Sequence, residues 1–172
     1  MSAAPGPAAA VSIREATTAG DVELARALFV EYARWLNVDL CFQGFADELR
    51  TLPGAYAPPR GRLLLAGHVS DAFACIGLRP LAEAGVGEVK RLYVQPARRT
   101  EGWGKRLVAE LLSAARATGY DELRLDTLEW MRAARALYEQ AGFAICPPYY
   151  DNPLPGVVYM SLRLRDAGTG PG

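Results

Sequence analysis

Glu88-Val89-Lys90-Arg91-Leu92-Tyr93-Val94 and, shortly after it, Arg99-Thr100-Glu101-Gly102-Trp103-Gly104 are the stretch on which the fold turns. Residues 87–94 read as a strand that ends at Pro96, a residue unable to donate to a ladder. Beyond Gly102 the spacing is helical: Leu107, Val108, Leu111, Leu112 and Ala115 form one apolar stripe, and Gly119 ends it. A strand therefore runs into a helix through a loop with two glycines. Glycine lets a backbone approach a ligand closely, and a helix start offers unpaired N–H groups at the positive end of its dipole. The loop reads as an anion site suited to a pyrophosphate. Spacing excludes two other phosphate loops. The triphosphate loop needs glycine where Arg99 stands and Ser or Thr where Arg106 stands, and the dinucleotide fingerprint needs a third glycine where Leu107 stands.

Upstream, residues 11–15 alternate as a short strand, and Thr18 and Asp21 are spaced as a capping box. Leu24, Ala25, Leu28, Phe29, Tyr32, Trp35 and Leu36 follow at helical spacing. A shorter helix covers 45–52, stopped by Pro53-Gly54, and 62–69 with 72–79 read as a hairpin turning at Ser70-Asp71. Downstream come a strand over 123–127, a helix over 131–141 stopped by Gly142, and strands over 143–146 and 157–164 split by a Pro-rich loop. The order β-α-α-β-β-β-α-β-α-β-β predicts an α/β (mixed α+β) fold, a mixed sheet with helices on both faces. Residues 11–165 are expected to form one domain, and the Ala-, Pro- and Gly-rich tails 1–10 and 166–172 to be disordered.

Composition narrows the function. The 172 residues carry 19 basic and 19 acidic side chains, so no broad field favours a nucleic-acid partner. No apolar run approaches the ~20 residues of a membrane span, and the first ten residues lack the basic start of a signal peptide. A cytoplasmic location is the default. Three cysteines, Cys41, Cys75 and Cys146, lie far apart with no CxxC, which argues against disulfides and against a metal site. Each is expected to be a small buried hydrophobe. His68 is the only histidine, near a hairpin turn with no nucleophile motif beside it, and is expected to be structural or exposed.

With these residues in view, the chain resembles the GNAT superfamily of acetyl-CoA-dependent N-acetyltransferases. Arg99-x-x-Gly102-x-Gly104 matches the family's [QR]-x-x-G-x-[GA] motif. Residues 88–94 look like its fourth strand, and Leu137-Tyr138-x-x-x-Gly142-Phe143 looks like its LYxxxGF motif. The resemblance covers roughly residues 11–165 and implies a largely antiparallel central sheet. It also implies acetyl-CoA held by Leu92, Tyr93, Val94, Arg99, Thr100, Glu101, Gly102, Trp103, Gly104, Lys105 and Tyr138, with no metal. In the family a backbone N–H of the fourth strand polarises the acetyl carbonyl, a role that falls on Leu92, while Val94 pairs with the pantetheine amides. Tyr138 matches the family's general acid near the CoA sulfur. Glu88, eleven residues before Arg99, matches the general base of histone-acetylating members; its alternative is a surface carboxylate paired with Lys90 or Arg91. Asp126 is a reserve base. The sequence departs from the family at Thr100 and Glu101, where many members carry glycine and a basic residue, and at Met131, where many carry asparagine.

An alkyl ammonium costs roughly 4–5 kcal/mol to deprotonate at pH 7, so direct transfer to a primary amine needs a base or a water chain. Lys90, Arg91, Arg98, Arg99, Lys105 and Arg106 are expected to crowd the phosphate side. Tyr32, Trp35, Phe42, Phe45, Tyr56, Tyr149 and Tyr150 are candidates for the acceptor side, and Arg60, Arg62 and Arg79 for an acceptor carboxylate. The loop 147–156, stiff and aromatic, is read as part of the acceptor side, with a hydrophobic lid or a homodimer contact as the alternative. The segment from Tyr32 to Arg62 resembles a group of small bacterial GNAT proteins of generally unassigned substrate. The rival readings are an acyl-CoA-binding sensor without transfer and a plain homodimer-forming interaction domain.

Overall fold

Leu63 and Leu65 of the strand Arg62–Gly67 pack with Ala25, Leu28 and Phe29, while Leu64 and Ala66, the residues between, pack with Leu107 and Leu111. One strand thus feeds two cores, as the period of two dictates when helices cover both faces of a sheet. The structure, a computed structural model, describes residues 10–165. The two tails expected to be disordered lie outside the described residues, except Ala10, which is exposed.

The elements are β1 (Ser12–Glu15), α1 (Ala19–Leu36), α2 (Phe45–Thr51), β2 (Arg62–Gly67), β3 (Ala74–Pro80), β4 (Val86–Val94), α3 (Trp103–Thr118), β5 (Glu122–Leu128), α4 (Arg132–Gln140), β6 (Ala144–Ile145) and β7 (Val157–Arg163). Their order is the expected one. Short 3₁₀ turns at Cys41–Gln43, Gly54–Tyr56 and Pro96–Glu101 were not anticipated. The sheet runs β1-β2-β3-β4-β5-β7-β6. Every neighbouring pair is antiparallel except β4 and β5. At the start of α1, Thr18 Oγ1 accepts from Asp21 N (3.1 Å) and Asp21 Oδ2 accepts from Thr18 N (3.2 Å), the expected capping box. Only Cys75, under α1, is a buried cysteine. Cys41 is exposed in a 3₁₀ turn and Cys146 half-buried, because neither segment passes through a core.

Two features of β4 shape its surroundings. Its parallel pairing with β5 lasts only from Val86–Glu122 to Glu88–Arg124. Beyond Glu88 the strands diverge, and residues of both line one cavity between them. Opposite Cys75 to Gly77 the β3–β4 register shifts, and Arg91 takes a left-handed φ of 60°. That is the signature of a bulge, which bends a strand and re-aims its side chains. Arg91 is held there by a buried ion pair with Glu48 (2.8 Å), and its guanidinium lies 5.0 Å from the Phe45 ring centroid.

Candidate functional site

Three neighbouring cavities run past β4. The first is a cleft of about 320 Å³ where β4, the start of α3 and the start of α4 meet, lined by Leu92, Tyr93, Val94, Arg99, Gly102, Gly104 and Lys105 among others. The second is an inner cavity of about 40 Å³ in the β4–β5 wedge, which shares Leu92 and Met131 with the cleft. The third, about 470 Å³, shares Gln43 and Lys90 with the inner cavity and is lined by Arg79, Glu88, Arg124, Tyr149 and Tyr150. The shared residues set the three cavities side by side across the wedge.

The cleft owes its shape to Gly102. Its φ of 82° turns the 3₁₀ segment Pro96–Glu101 into α3, and a Cβ there would meet no protein atom within 4 Å. The helix start has no side-chain cap, so its N–H groups are open to an anion. A cradle of backbone donors at a positive helix end, flanked by Arg99 and Lys105, fits a pyrophosphate. Arg99 does more than lend charge. Its Nε donates to the Val94 carbonyl (2.9 Å), and its guanidinium lies over Trp35 (4.5 Å).

Four residues expected at the cofactor do not line the cleft: Thr100, Glu101, Trp103 and Tyr138. The Trp103 side chain is buried against Phe73 with centroids 5.2 Å apart, which leaves only its backbone to the helix start. Glu101 Oε2 accepts from Trp103 Nε1 (2.9 Å) and pairs with Arg98 (3.0 Å). Its carboxylate, which would oppose an anion in the loop, is thereby tied off. Thr100 is exposed and outside the cleft lining. The expected basic crowd also thins. Lys90 and Arg91 are buried in ion pairs, and Arg98 and Arg106 stack on Phe73 (4.2 Å) and Trp103 (4.1 Å), which leaves Arg99 and Lys105 at the cleft.

Tyr138 lines the inner cavity and packs edge-on against Phe143. Burial, reinforced by Tyr32 and Asp126, raises its pKa well above that of a free phenol, so the hydroxyl keeps its proton at neutral pH. Asp126 faces the same space. Its Oδ1 pairs with Lys90 (3.2 Å) while Oδ2 accepts from Tyr150 (2.8 Å) and Asn152 (2.9 Å). Burial opposes ionisation of Asp126, yet the Lys90 charge and these hydrogen bonds outweigh it and lower its pKa.

Glu88 is not a surface carboxylate: it is 1% exposed. Its Oε2 takes Arg79 at 2.8 Å, and its Oε1 accepts from Tyr149 (2.7 Å) with Lys90 3.6 Å away. Arg91, the other expected partner, turns to Glu48 instead because the bulge re-aims it.

Of the aromatic candidates, Phe42, Tyr149 and Tyr150 line the third cavity, Tyr32 the inner one and Trp35 the cleft. Phe45 and Tyr56 belong to the core beneath α1 and α2. Arg60 stacks on Tyr120 (4.5 Å) and Arg62 reaches Glu15 (3.7 Å), so of the three arginines only Arg79 faces the third cavity. His68 lies between β2 and β3, outside these cavities. Sequence reasoning missed Arg124 and the Trp35–Trp130 pair, whose rings lie 5.5 Å apart at the cleft. Arg124 was findable only through sheet register, since it pairs directly with Glu88. Trp130 comes after β5 with no motif of its own. Among the described residues no group of three or more His, Cys, Asp or Glu side chains is set to hold a metal, and no helix is long and apolar enough to cross a membrane.

Known proteins share this architecture. The profile of the acetyltransferase (GNAT) family matches residues 28–143. An uncharacterised N-acetyltransferase of Schizosaccharomyces pombe is 37% identical over 155 residues, covering 90% of this chain and 95% of its own. A GNAT-family acetyltransferase structure from Staphylococcus aureus Mu50 superposes with a TM-score of 0.73 at 19% identity, over 91% of this chain and all of that one. The yncA structure from Salmonella typhimurium, solved with its cofactor acetyl-CoA, gives a TM-score of 0.67 at 18% identity, over 94% and 98% of the two chains. A profile match over more than half of the sequence and a relative similar along nearly its whole length lead to one conclusion: the chain belongs to the GNAT family of N-acetyltransferases.

Proposed function

We propose that this chain transfers the acetyl group of acetyl-CoA directly to a primary amine of a small molecule or peptide. What supports the reading is that three cavities lie in a row along β4, each sharing lining residues with the next. The cleft at Gly102 meets the inner cavity at Leu92 and Met131, and the inner cavity meets the third at Gln43 and Lys90. Cofactor and acceptor would thus approach one point on β4 from opposite sides, which is what direct transfer requires.

The roles derive from position. The α3 start with Arg99 and Lys105 holds the pyrophosphate. The Leu92 N–H donates to the acetyl oxygen as negative charge develops there. Tyr138, kept protonated, donates to the departing sulfur. Glu88 receives the amine's proton. Glu88 lies four residues along β4 from Leu92, so the proton reaches it through a chain of waters, and Tyr149 yields its hydrogen bond to the last water at Oε1. Asp126 is the reserve base on the inner side.

Gly102→Val tests the cofactor half. The new side chain meets no protein atom, so it intrudes on the cleft, and the left-handed backbone costs about 1–2 kcal/mol of stability. Calorimetry should show acetyl-CoA binding to the wild type and a loss of about tenfold or more in the variant, or ~1.4 kcal/mol per decade. No binding by the wild type, or equal binding by both, contradicts the assignment.

A further inference from the structure

We propose that Arg124, with Arg79 on the other side of Glu88, seats a carboxylate of the acceptor, and that Glu83 fills the seat until the acceptor arrives. This rests on the transfer reading for the location of the acceptor. It goes further in naming a class: a primary amine that also carries a carboxylate.

Three strands set the charges in one row. Register pairs Arg79 of β3 with Glu88 of β4, and Glu88 with Arg124 of β5, and all three line the third cavity. The lining holds three cations, Arg79, Lys90 and Arg124, against two carboxylates, Glu83 and Glu88. The two carboxylates differ in kind. Glu88, the base, is buried and held by Arg79, Lys90 and Tyr149. Glu83 comes from the turn between β3 and β4. Its side chain is 60% exposed and holds Arg124 Nη1 at 2.8 Å. Glu122 takes Arg124 Nε (2.8 Å), so Nη1 is the nitrogen that Glu83 covers.

An exposed pair of this kind is weak and easily exchanged. A ligand carboxylate laying both oxygens on a guanidinium makes the stronger, bidentate contact. Glu83 therefore shields Nη1 at rest and costs little to displace, while Glu122 keeps its hold on Nε. Phe42, Tyr149 and Tyr150 supply an apolar wall for the body of the acceptor. Leu92 lies four residues along β4 from Glu88, on the order of 10 Å at about 3.3 Å per residue with a bulge between. An acceptor reaching from Arg124 to the inner cavity thus needs more than the two bonds that separate amine and carboxylate in an α-amino acid. Peptides of about three residues and longer have that reach, at ~3.5 Å per extended residue, while dipeptides and 6-aminohexanoate probe the carboxylate seat itself.

The test is calorimetry on the CoA-saturated protein, titrated with glycylglycine, alanylphenylalanine and 6-aminohexanoate, each beside its carboxamide. The acids should bind roughly 10- to 100-fold more tightly than the amides. Arg124→Gln should erase that difference. Arg124→Lys, which keeps the charge without the fork, should reduce it and covers the case in which Arg124→Gln fails to fold. Glu83→Gln should move the other way, tightening acids by roughly two- to fivefold while leaving amides and the melting temperature in place. A purely structural Glu83–Arg124 pair would instead lower the melting temperature in Glu83→Gln and treat acids and amides alike. Equal binding of acids and amides, no binding of any probe, or weaker acid binding by Glu83→Gln overturns the proposal. Failure of the transfer reading shows separately, as no CoA binding before any probe is added or as acetyl-CoA binding without amine-dependent CoA release.

Discussion

Tyr138 and Asp126 share the inner cavity but are tuned oppositely, one kept protonated and the other kept ionised. Tyr138→Phe removes only a hydroxyl. If that hydroxyl serves the leaving sulfur, single-turnover transfer falls by about 10²-fold, the low end for a general acid, because a thiolate already leaves well. Acetyl-CoA affinity should hardly change. Wild-type transfer in a protein destabilised by about 1 kcal/mol would instead mark a core tyrosine with a buried partner. Asp126→Asn is read through pH. Because the folded pKa of Asp126 is lowered, its stabilising contribution is present above the unfolded value, ~3.9, and is lost as pH falls through the folded value. Urea melts should show Asp126→Asn less stable by about 3 kcal/mol at pH 7, since Lys90 loses a buried partner. The gap should close below about pH 4. A gap that persists unchanged at low pH would mean the loss is one of packing and not of charge.

The elements of this fold were legible because each carries its own period or punctuation: the stripe from Leu107 to Ala115, the capping box at Thr18, the glycines at 119 and 142. What could not be read depends on how elements meet. Nothing in the sequence marks Arg91 as left-handed, because its partner Glu48 lies 43 residues away. Trp103 sits inside the loop motif, and only the packing of Phe73 beneath it shows that it belongs to the core. Arg60, Arg62 and Arg79 look alike in sequence, yet strand register sends one of them to Glu88. The bulge is therefore the element most worth perturbing. Arg91→Ala leaves Glu48 buried without its cation and should cost about 3–5 kcal/mol in chemical denaturation. A loss below about 1 kcal/mol would mean that the bulge stands without the pair.

At the scale of the molecule, the sheet opens between β4 and β5, α3 brings its N-terminus to one side of the opening, and the segment after β6 closes the other. Tyr149 and Tyr150 anchor that closing segment on the two carboxylates, Glu88 and Asp126. The alternation of strands and helices foretold the sheet, but the wedge arises from a parallel pairing that ends at Glu88, and no motif announces that. An acyl-CoA sensor would need only the cleft; transfer needs all three cavities. The most direct test therefore mixes the protein with acetyl-CoA and a panel of amines, amino acids and peptides, and tracks free CoA thiol by absorbance and acetylated product by mass. The account predicts thiol release that depends on an amine and matches N-acetyl product mole for mole. Tight acetyl-CoA binding with no amine-dependent release across the panel would contradict it.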